Sequence, residues 1–527
     1  MQRARPFLRP LALVFVLALV ASACGGDDSG SGDKAGARGG PIVVGTTDTP
    51  TSYDPAGAYD LPSWTVIYNT YQNLLQIPAG GNKPVPDAAE SCEFSDPKTY
   101  TCKLKQGLKF SNGSDLTSED VVFSFNRVNK IADPNGPSSL LGSMTKVEAV
   151  DPATVRFTLK EADATWPYVL TTGGAAIVPS DVYPADKLQP SDKIIGSGPY
   201  KLVSFKPKEQ AVVEPNPNYT GPNKPANSRT ILQFFDRSSA LKLAVEQGEV
   251  DVAYRSLTPT DIEALRGETG RGVNVVEGEG AEIRYLVFNV RLDPSKNLAV
   301  RKAMAQAIDR QAIADNVYNG TVKPLYSMVA EGLEGHTDAF KDAYGDKPDA
   351  AAAKKTLSDA GVATPVATDV WYTPSHYGDS SADEYTEIKR SLESTGLFKI
   401  NLKSTEWQQY QKAYADNQYA MFQLGWFPDY PDADNYAAPF FAENNFYNNG
   451  YKNPKVDQLI AQERAEQDPA ARSQIFAQIQ QIAAQEIPTI PVWQGKQIAA
   501  VREGVTGVEK TFDPSFTFRF WLISKGQ

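Results

Sequence analysis

Histidine is nearly absent from this 527-residue chain, which has only His336 and His376, and cysteine and methionine are scarce, at three and five. Neither histidine stands in a metal-ligand spacing, and the cysteines are spoken for by one near the N-terminus and a pair, Cys92 and Cys102, so no zinc centre or Cys–His nucleophile is expected. There is no G-x-S-x-G elbow for a serine nucleophile. The Gly-rich "GSGPY" at 196–200 lacks the Gly-Lys-Ser/Thr of a phosphate loop and reads as a turn leading into a strand. No enzyme, metal or cofactor is therefore expected. The net charge of −11 argues against a general binder of nucleic acid or anionic membrane. The longest early apolar run, Leu11 to Ala23, is shorter than the ~20 residues a spanning helix needs.

What is present is ordinary globular material, 41% hydrophobic and 10% aromatic, in a chain long enough for more than one packing unit. Arg3, Arg5 and Arg9 before the apolar run make residues 1–23 an export signal. The run ends "VASACGG", where Ala21-Ser22-Ala23 suits ordinary cleavage and also resembles a bacterial lipobox, with Cys24 as the lipidated residue. Residues 24–40 are Gly-rich and polar, a flexible tether. A tether has more purpose behind an anchored cysteine than after plain cleavage, which favours the lipoprotein reading. In "SCEFSDPKTYTC", a three-residue hairpin loop centred on Pro97 sets Cys92 opposite Cys102, at the ~4.5–5.5 Å between Cα atoms that a disulfide accepts. In an exported chain that bond is expected.

The periodicity is mixed. "TVRFTLK" turns Val155, Phe157 and Leu159 to one side and "YTCKLK" does so with Tyr100, Cys102 and Leu104, the pattern of half-buried strands. "NLAVRKAMAQAIDRQAI" spaces Val300, Met304, Ala307, Ile308 and Ile313 as one amphipathic helix. A second helix opens with Asp468 as N-cap and Pro469 in its first turn, buries Ile475, Ile479 and Ile482, and stops before Pro488. In "ALKLAVEQGEVDVAY", Gly248 ends a helix and Val250, Val252 and Tyr254 alternate as a strand. Such units indicate α/β lobes.

Most unusual is "GWFPDYPDADNY", 425–436, which crowds rings and acids together. Asp429, Asp432 and Asp434 break the alternate spacing of a helix-flanked calcium loop, and there is no central Gly. A glycosidase needs only two carboxylates and aromatic platforms and is the strongest enzymatic alternative, but 63 acidic residues make such pairs unspecific.

Taken in order, "YTCKLKQGLKFSNGSDLTSEDVVFSFNRV", "GSGPYKL", "NPNYTGP", "ALKLAVEQGEVDVA", "FNVRLDPSKNLAVRKAMAQAIDR", "GWFPDYPDADN", "YKNPKVDQLI" and "EIPTIPVW" resemble the extracytoplasmic solute-binding proteins of ABC importers, family 5, the dipeptide- and oligopeptide-binding branch. The resemblance runs from about Ile42 to the end. It implies an α/β, two-lobe periplasmic-binding-protein-like fold of type II, with lobe one built from 41–66, 195–289 and 500–527, an inserted subdomain at 67–194, and lobe two at 290–499. It also implies a monomer that closes over a small peptide and presents it to membrane permease subunits powered by separate ATPases. A lipidated Cys24 would hold it on the outer face of the cytoplasmic membrane. By the same resemblance Asp429 receives the peptide α-ammonium, the backbone of Gly425, Trp426 and Phe427 pairs with the extended ligand, and Tyr430 and Trp407 line the site. The facing wall would be Thr46 to Pro50, with Thr47, Asp48, Thr49 and Pro50 as contacts. Positions that carry a cation for the peptide carboxylate in some relatives fall at Tyr414 and Gln423, so that end has no identified partner. An oligosaccharide or a metal chelate is the alternative solute for the same fold.

Overall fold

A computed structural model describes residues 39–255, 257–267 and 272–526. The export signal, Cys24 and nearly all of the tether lie outside the described residues. Among the described residues no helix is long and apolar enough to cross a membrane.

Two large sheets define two lobes. The first, of seven strands, runs in the order Val273–Gly278, Gln497–Arg502, Val252–Tyr254, Ile42–Thr46, Thr230–Phe234, Gln210–Pro215, Tyr200–Lys206. Its central strand Ile42–Thr46 is parallel to both neighbours, and both its faces are covered. This explains why Val252–Tyr254 is buried at every position instead of alternating: helix Ser238–Gln247 covers one face and C-terminal aromatics cover the other, with Phe518 stacked on Tyr254 at 3.9 Å. Gly248 ends that helix in the left-handed region, at φ 78°.

The second sheet orders six strands as Val322–Pro324, Thr489–Gly495, Ile283–Phe288, Met421–Trp426, Val366–Tyr372, Phe398–Ser404. Strand Ile283–Phe288 is hydrogen-bonded into this sheet on both sides, to Met421–Trp426 and to Thr489–Gly495. A first lobe extending to 289 is therefore corrected: the chain crosses between Gly278 and Ile283, and returns at Lys496 rather than at 500, because Gln497–Arg502 pairs in the first sheet. The two crossings lie side by side. A Cβ on Gly280 would stand 2.4 Å from the Gly495 carbonyl, and the side chains of Gln494 and Gln497 donate to the carbonyls of Gly280 and Glu279 at 2.6 and 2.7 Å.

A third, four-stranded sheet, Ala89–Asp96, Thr99–Leu104, Thr154–Leu159, Met144–Asp151, packs on helix Ser118–Ile131 within the inserted stretch. Its inward residues Tyr100, Cys102, Leu104, Val155, Phe157 and Leu159 are buried, as alternation predicts. Cys92 faces Cys102 in the ladder, and the two form a disulfide. Arg127 of the helix makes a bidentate pair with Asp54 at 2.7 and 2.6 Å, fully buried, which ties this subdomain to the first lobe.

Two helical expectations are corrected. Residues 298–316 form two helices, Leu298–Ala307 and Arg310–Asn316, because Ile308 leaves helical geometry and Asp309 caps the second by accepting from the Ala312 amide at 2.9 Å. Helix Pro469–Glu486 has the predicted Asp468 cap, but it buries Phe476, Ile479, Gln480, Ala483 and Ala484, leaving Ile475 and Ile482 half-buried. Gln480 goes inside because its amide satisfies the 327–337 loop, accepting from Ser327 Oγ at 2.6 Å and the Thr337 amide at 3.0 Å.

Candidate functional site

Strand Met421–Trp426 brings its C-terminal end to the space between the lobes. On one side it pairs with Ile283–Phe288, with Gly425 opposite Arg284. On the other, the parallel ladder to Val366–Tyr372 contains the single pair Trp371–Phe422, so the strand runs beyond its neighbour. Tyrosines cover part of that edge: the Tyr410 hydroxyl donates to the Gln423 carbonyl at 2.8 Å, and the Tyr377 hydroxyl lies on the Gly425 backbone. Gly425 is required by packing, since a Cβ there would lie 2.4 Å from Arg284 Nη1.

Three residues later the chain positions Asp429 through Asn435. The Asn435 Oδ1 accepts from the Asp429 amide at 2.9 Å and from Trp426 Nε1 at 3.0 Å, while Asn435 Nδ2 donates to Asp429 Oδ2 at 3.1 Å. The other oxygen, Oδ1, accepts from the Tyr59 hydroxyl of the first lobe at 2.7 Å. Burial pushes this carboxyl above the usual carboxylate range, only partly offset by Tyr59 and Asn435, and among the described residues no cation pairs with it. A half-buried carboxylate with neutral donors on both oxygens is set up to gain from an incoming positive charge.

Phe427, between Trp426 and Asp429, meets two guanidiniums. Arg255 of the first lobe lies 4.9 Å from its ring centre and Arg284 of the second lobe 5.9 Å, with Phe516 edge-on at 5.7 Å. Arg255 has a left-handed backbone, φ 63°, and pairs with Asp48 at 2.8 Å. Arg284 is buried, pairs with Glu282 at 2.5 Å, and stacks over Tyr377 and Trp493 at 4.3 and 4.9 Å. Burial alone would lower the Arg284 pKa; Glu282 carries it upward. The site thus sets the Asp429 carboxylate two residues beyond a ring that two guanidiniums flank, each of them paired with its own acid, Asp48 for Arg255 and Glu282 for Arg284.

The remaining expected residues divide. Asp48 is in this space through Arg255, and Thr47, Thr49 and Pro50 continue its partly open loop. Trp407 stacks face to face on His376 at 3.6 Å, forming an aromatic wall on the second lobe. Burial first, and Arg284 second, lower the His376 pKa to about 4, so it is neutral at neutral pH. Tyr430 is a correction: it packs into the core of the inserted subdomain, 6.0 Å from the Tyr168 ring, with 8% of its surface exposed. Asp432 caps the following turn by accepting from the Asp434 amide and also holds Arg472 in a bidentate pair at 2.6 and 2.8 Å; Asp434 meets Arg464 at 3.2 Å. Tyr414 packs on Phe422, and Gln423 accepts from the Thr373 amide at 3.3 Å. Tyr59, Arg255, Arg284 and Asn435 escaped sequence reasoning. Each is an isolated residue with no spacing signal, brought in by topology.

Two lobes joined by paired crossings, with a charged and aromatic cleft between them, define a solute-binding architecture. The sequence matches the family model for bacterial extracellular solute-binding proteins, family 5, over residues 83–448, and the chain belongs to that family. It is 28% identical to the probable D,D-dipeptide-binding periplasmic protein DdpA of Escherichia coli K12, over 88% of this chain and 90% of that one. It is 27% identical to the dipeptide-binding protein DppE of Bacillus subtilis 168, over 91% of each. Its fold superposes on HbpA2 of Haemophilus parasuis with a TM-score of 0.81 at 23% identity, covering 92% of this chain and all of that one. The chain is a binding protein rather than an enzyme.

Proposed function

We propose that this protein is the extracytoplasmic binding component of an ABC importer, that it captures small peptides between its lobes, and that it delivers them to a membrane permease. Support comes from Asp429, a half-buried carboxylate held by neutral donors and, among the described residues, without a cation, two residues from Phe427, whose ring two arginines flank. A peptide's α-ammonium replaces or joins Tyr59 on Asp429 in a charge-assisted hydrogen bond formed in a desolvated cleft. The backbone from Trp426 to Phe427 pairs with the extended ligand, giving affinity without reading side chains. The residues at 279–282 and 496 act as the hinge, and Cys24, lipidated, keeps the protein on the outer face of the cytoplasmic membrane. The relatives named for dipeptides support the same ligand class.

The direct test is mass spectrometry of solute released by denaturing protein purified from its native host. Short peptides with free amino termini are expected. A released oligosaccharide or metal chelate, with no peptide, overturns the assignment.

A further inference from the structure

Away from the cleft, the loop 331–338 gathers Glu331, His336 and Asp338, whose ligand atoms all lie within 4.8 Å of one another. In sequence they read E-x4-H-x-D, no recognised metal spacing. The loop brings them together by turning at Gly332 and Gly335, both left-handed at φ 89° and 91°.

Three features distinguish this cluster from a chance meeting of surface charges. His336 Nδ1 lies 2.8 Å from the Val329 carbonyl and donates to it, so in the neutral ring Nε2 carries the free lone pair. That Nε2 faces Asp338 Oδ1 at 3.4 Å, beyond the 2.7–3.2 Å of an ordinary N–H···O bond. Two ligands on one tetrahedral zinc, with bonds of about 2.0–2.2 Å, stand about 3.3–3.5 Å apart. Although the Asp338 side chain is partly exposed, its Oδ1 atom is shielded from solvent and makes no hydrogen bond, His336 Nε2 being its neighbour at the longer distance; the Thr337 hydroxyl is likewise shielded and without a hydrogen bond. A buried carboxylate oxygen without a donor is costly unless something positive meets it.

We propose that Glu331, His336 and Asp338 form a binding site for a divalent transition metal of the zinc type, with one nitrogen and two carboxylate oxygens as ligands and water in the fourth position. Lys323 holds Glu331 Oε2 at 2.6 Å, leaving the second oxygen of that carboxylate for the metal. The side chains of His336 and Asp338 are 18% and 45% exposed, so the ion has a path from solvent. The mixed nitrogen and oxygen set suits zinc and its neighbours better than magnesium or calcium, which prefer all-oxygen shells.

The loop's anchorage gives the site a consequence. Gln494, next to the second crossing, binds both the amide and the carbonyl of Glu331, at 2.7 and 3.2 Å, and also the carbonyl of Gly280. From the inserted stretch, Lys83 pairs with Glu334 at 2.9 Å and Asn82 donates to the Gly332 carbonyl at 3.4 Å. A metal that stiffens this loop therefore stiffens the contact between the lobes in the arrangement described here.

The test uses tag-free, metal-stripped full-length protein titrated with Zn2+ by calorimetry, and with Co2+ while visible absorption is recorded. One equivalent of Zn2+ should bind with micromolar or tighter affinity and raise the melting temperature, and Co2+ should give the intense bands of a four-coordinate site. His336→Ala and Asp338→Asn should each weaken Zn2+ binding at least 100-fold while leaving the metal-free melting temperature within about 2 °C. Absence of Zn2+ binding, or binding that His336→Ala leaves intact, overturns the proposal. Neither readout depends on which solute occupies the cleft.

Discussion

The hydroxyl of Tyr59, in the first lobe, donates a 2.7 Å hydrogen bond to the carboxylate of Asp429, in the second. It is a bond between lobes made by a neutral donor to a half-buried acid, so it links the proposed ammonium site to the arrangement of the two lobes. Asp429→Asn keeps the shape and removes the charge. Peptide affinity should fall by about 3 kcal/mol, roughly a hundredfold, the scale for losing one partner of a buried charged pair. The melting temperature without ligand should hold or rise, because the ionised carboxylate is costly where it stands. Calorimetry and a thermal scan measure both.

The upward-shifted pKa of Asp429 gives two pH effects of opposite sign. For folding, the native state holds this proton more tightly than the unfolded chain does, whose Asp titrates near ~3.9. Asp429 therefore contributes stability at low pH that is lost as pH rises through its folded pKa. For binding, the α-ammonium needs the ionised form, so affinity should fall about tenfold per pH unit below that pKa. In Asp429→Asn the binding curve should be flat over the same range; a matching acid limb in the variant would assign the effect elsewhere.

The Arg127–Asp54 pair is buried and fully hydrogen-bonded, with Arg127 also donating to the carbonyls of Pro184 and Lys187 at 2.7 and 2.8 Å. Arg127→Ala strands the Asp54 carboxylate and should cost about 3–5 kcal/mol of stability. Chemical denaturation followed by tryptophan fluorescence measures it.

The Cys92–Cys102 bridge closes a short loop, ten residues in separation. Chain entropy over such a loop predicts a loss of about 2.5–3 kcal/mol on reduction. A lowered melting temperature in dithiothreitol, absent from a Cys92→Ser/Cys102→Ser protein, is expected.

For the anchor, expression of the full-length gene in a bacterial host should partition the protein into the detergent phase, and Cys24→Ser should move it to the aqueous phase. An aqueous wild type would point to ordinary cleavage.

Local signals were legible in the sequence because the chemistry is local. Asp468 and Pro469 start a helix wherever they sit, Gly248 ends one, and alternation exposed Val155, Phe157 and Leu159. The helix at 298–316 misled because Ile308 keeps apolar periodicity through a break that only the Asp309 cap reveals. Tyr430 was misplaced for a related reason: a ring beside a proposed binding acid is as good a packing residue as a ligand contact, and only the neighbouring subdomain decides. Arg255 and Arg284 lie far in sequence from Phe427 and meet it through the crossing of the chain between lobes, which no local pattern encodes.

The central claim, that Asp429 recognises a peptide's α-ammonium, is tested most directly by comparing one dipeptide with its N-acetylated form on wild type and on Asp429→Asn by calorimetry. The account predicts that acetylation weakens binding to the wild type about a hundredfold and changes little in the variant. Equal affinity of the wild type for both forms would contradict it.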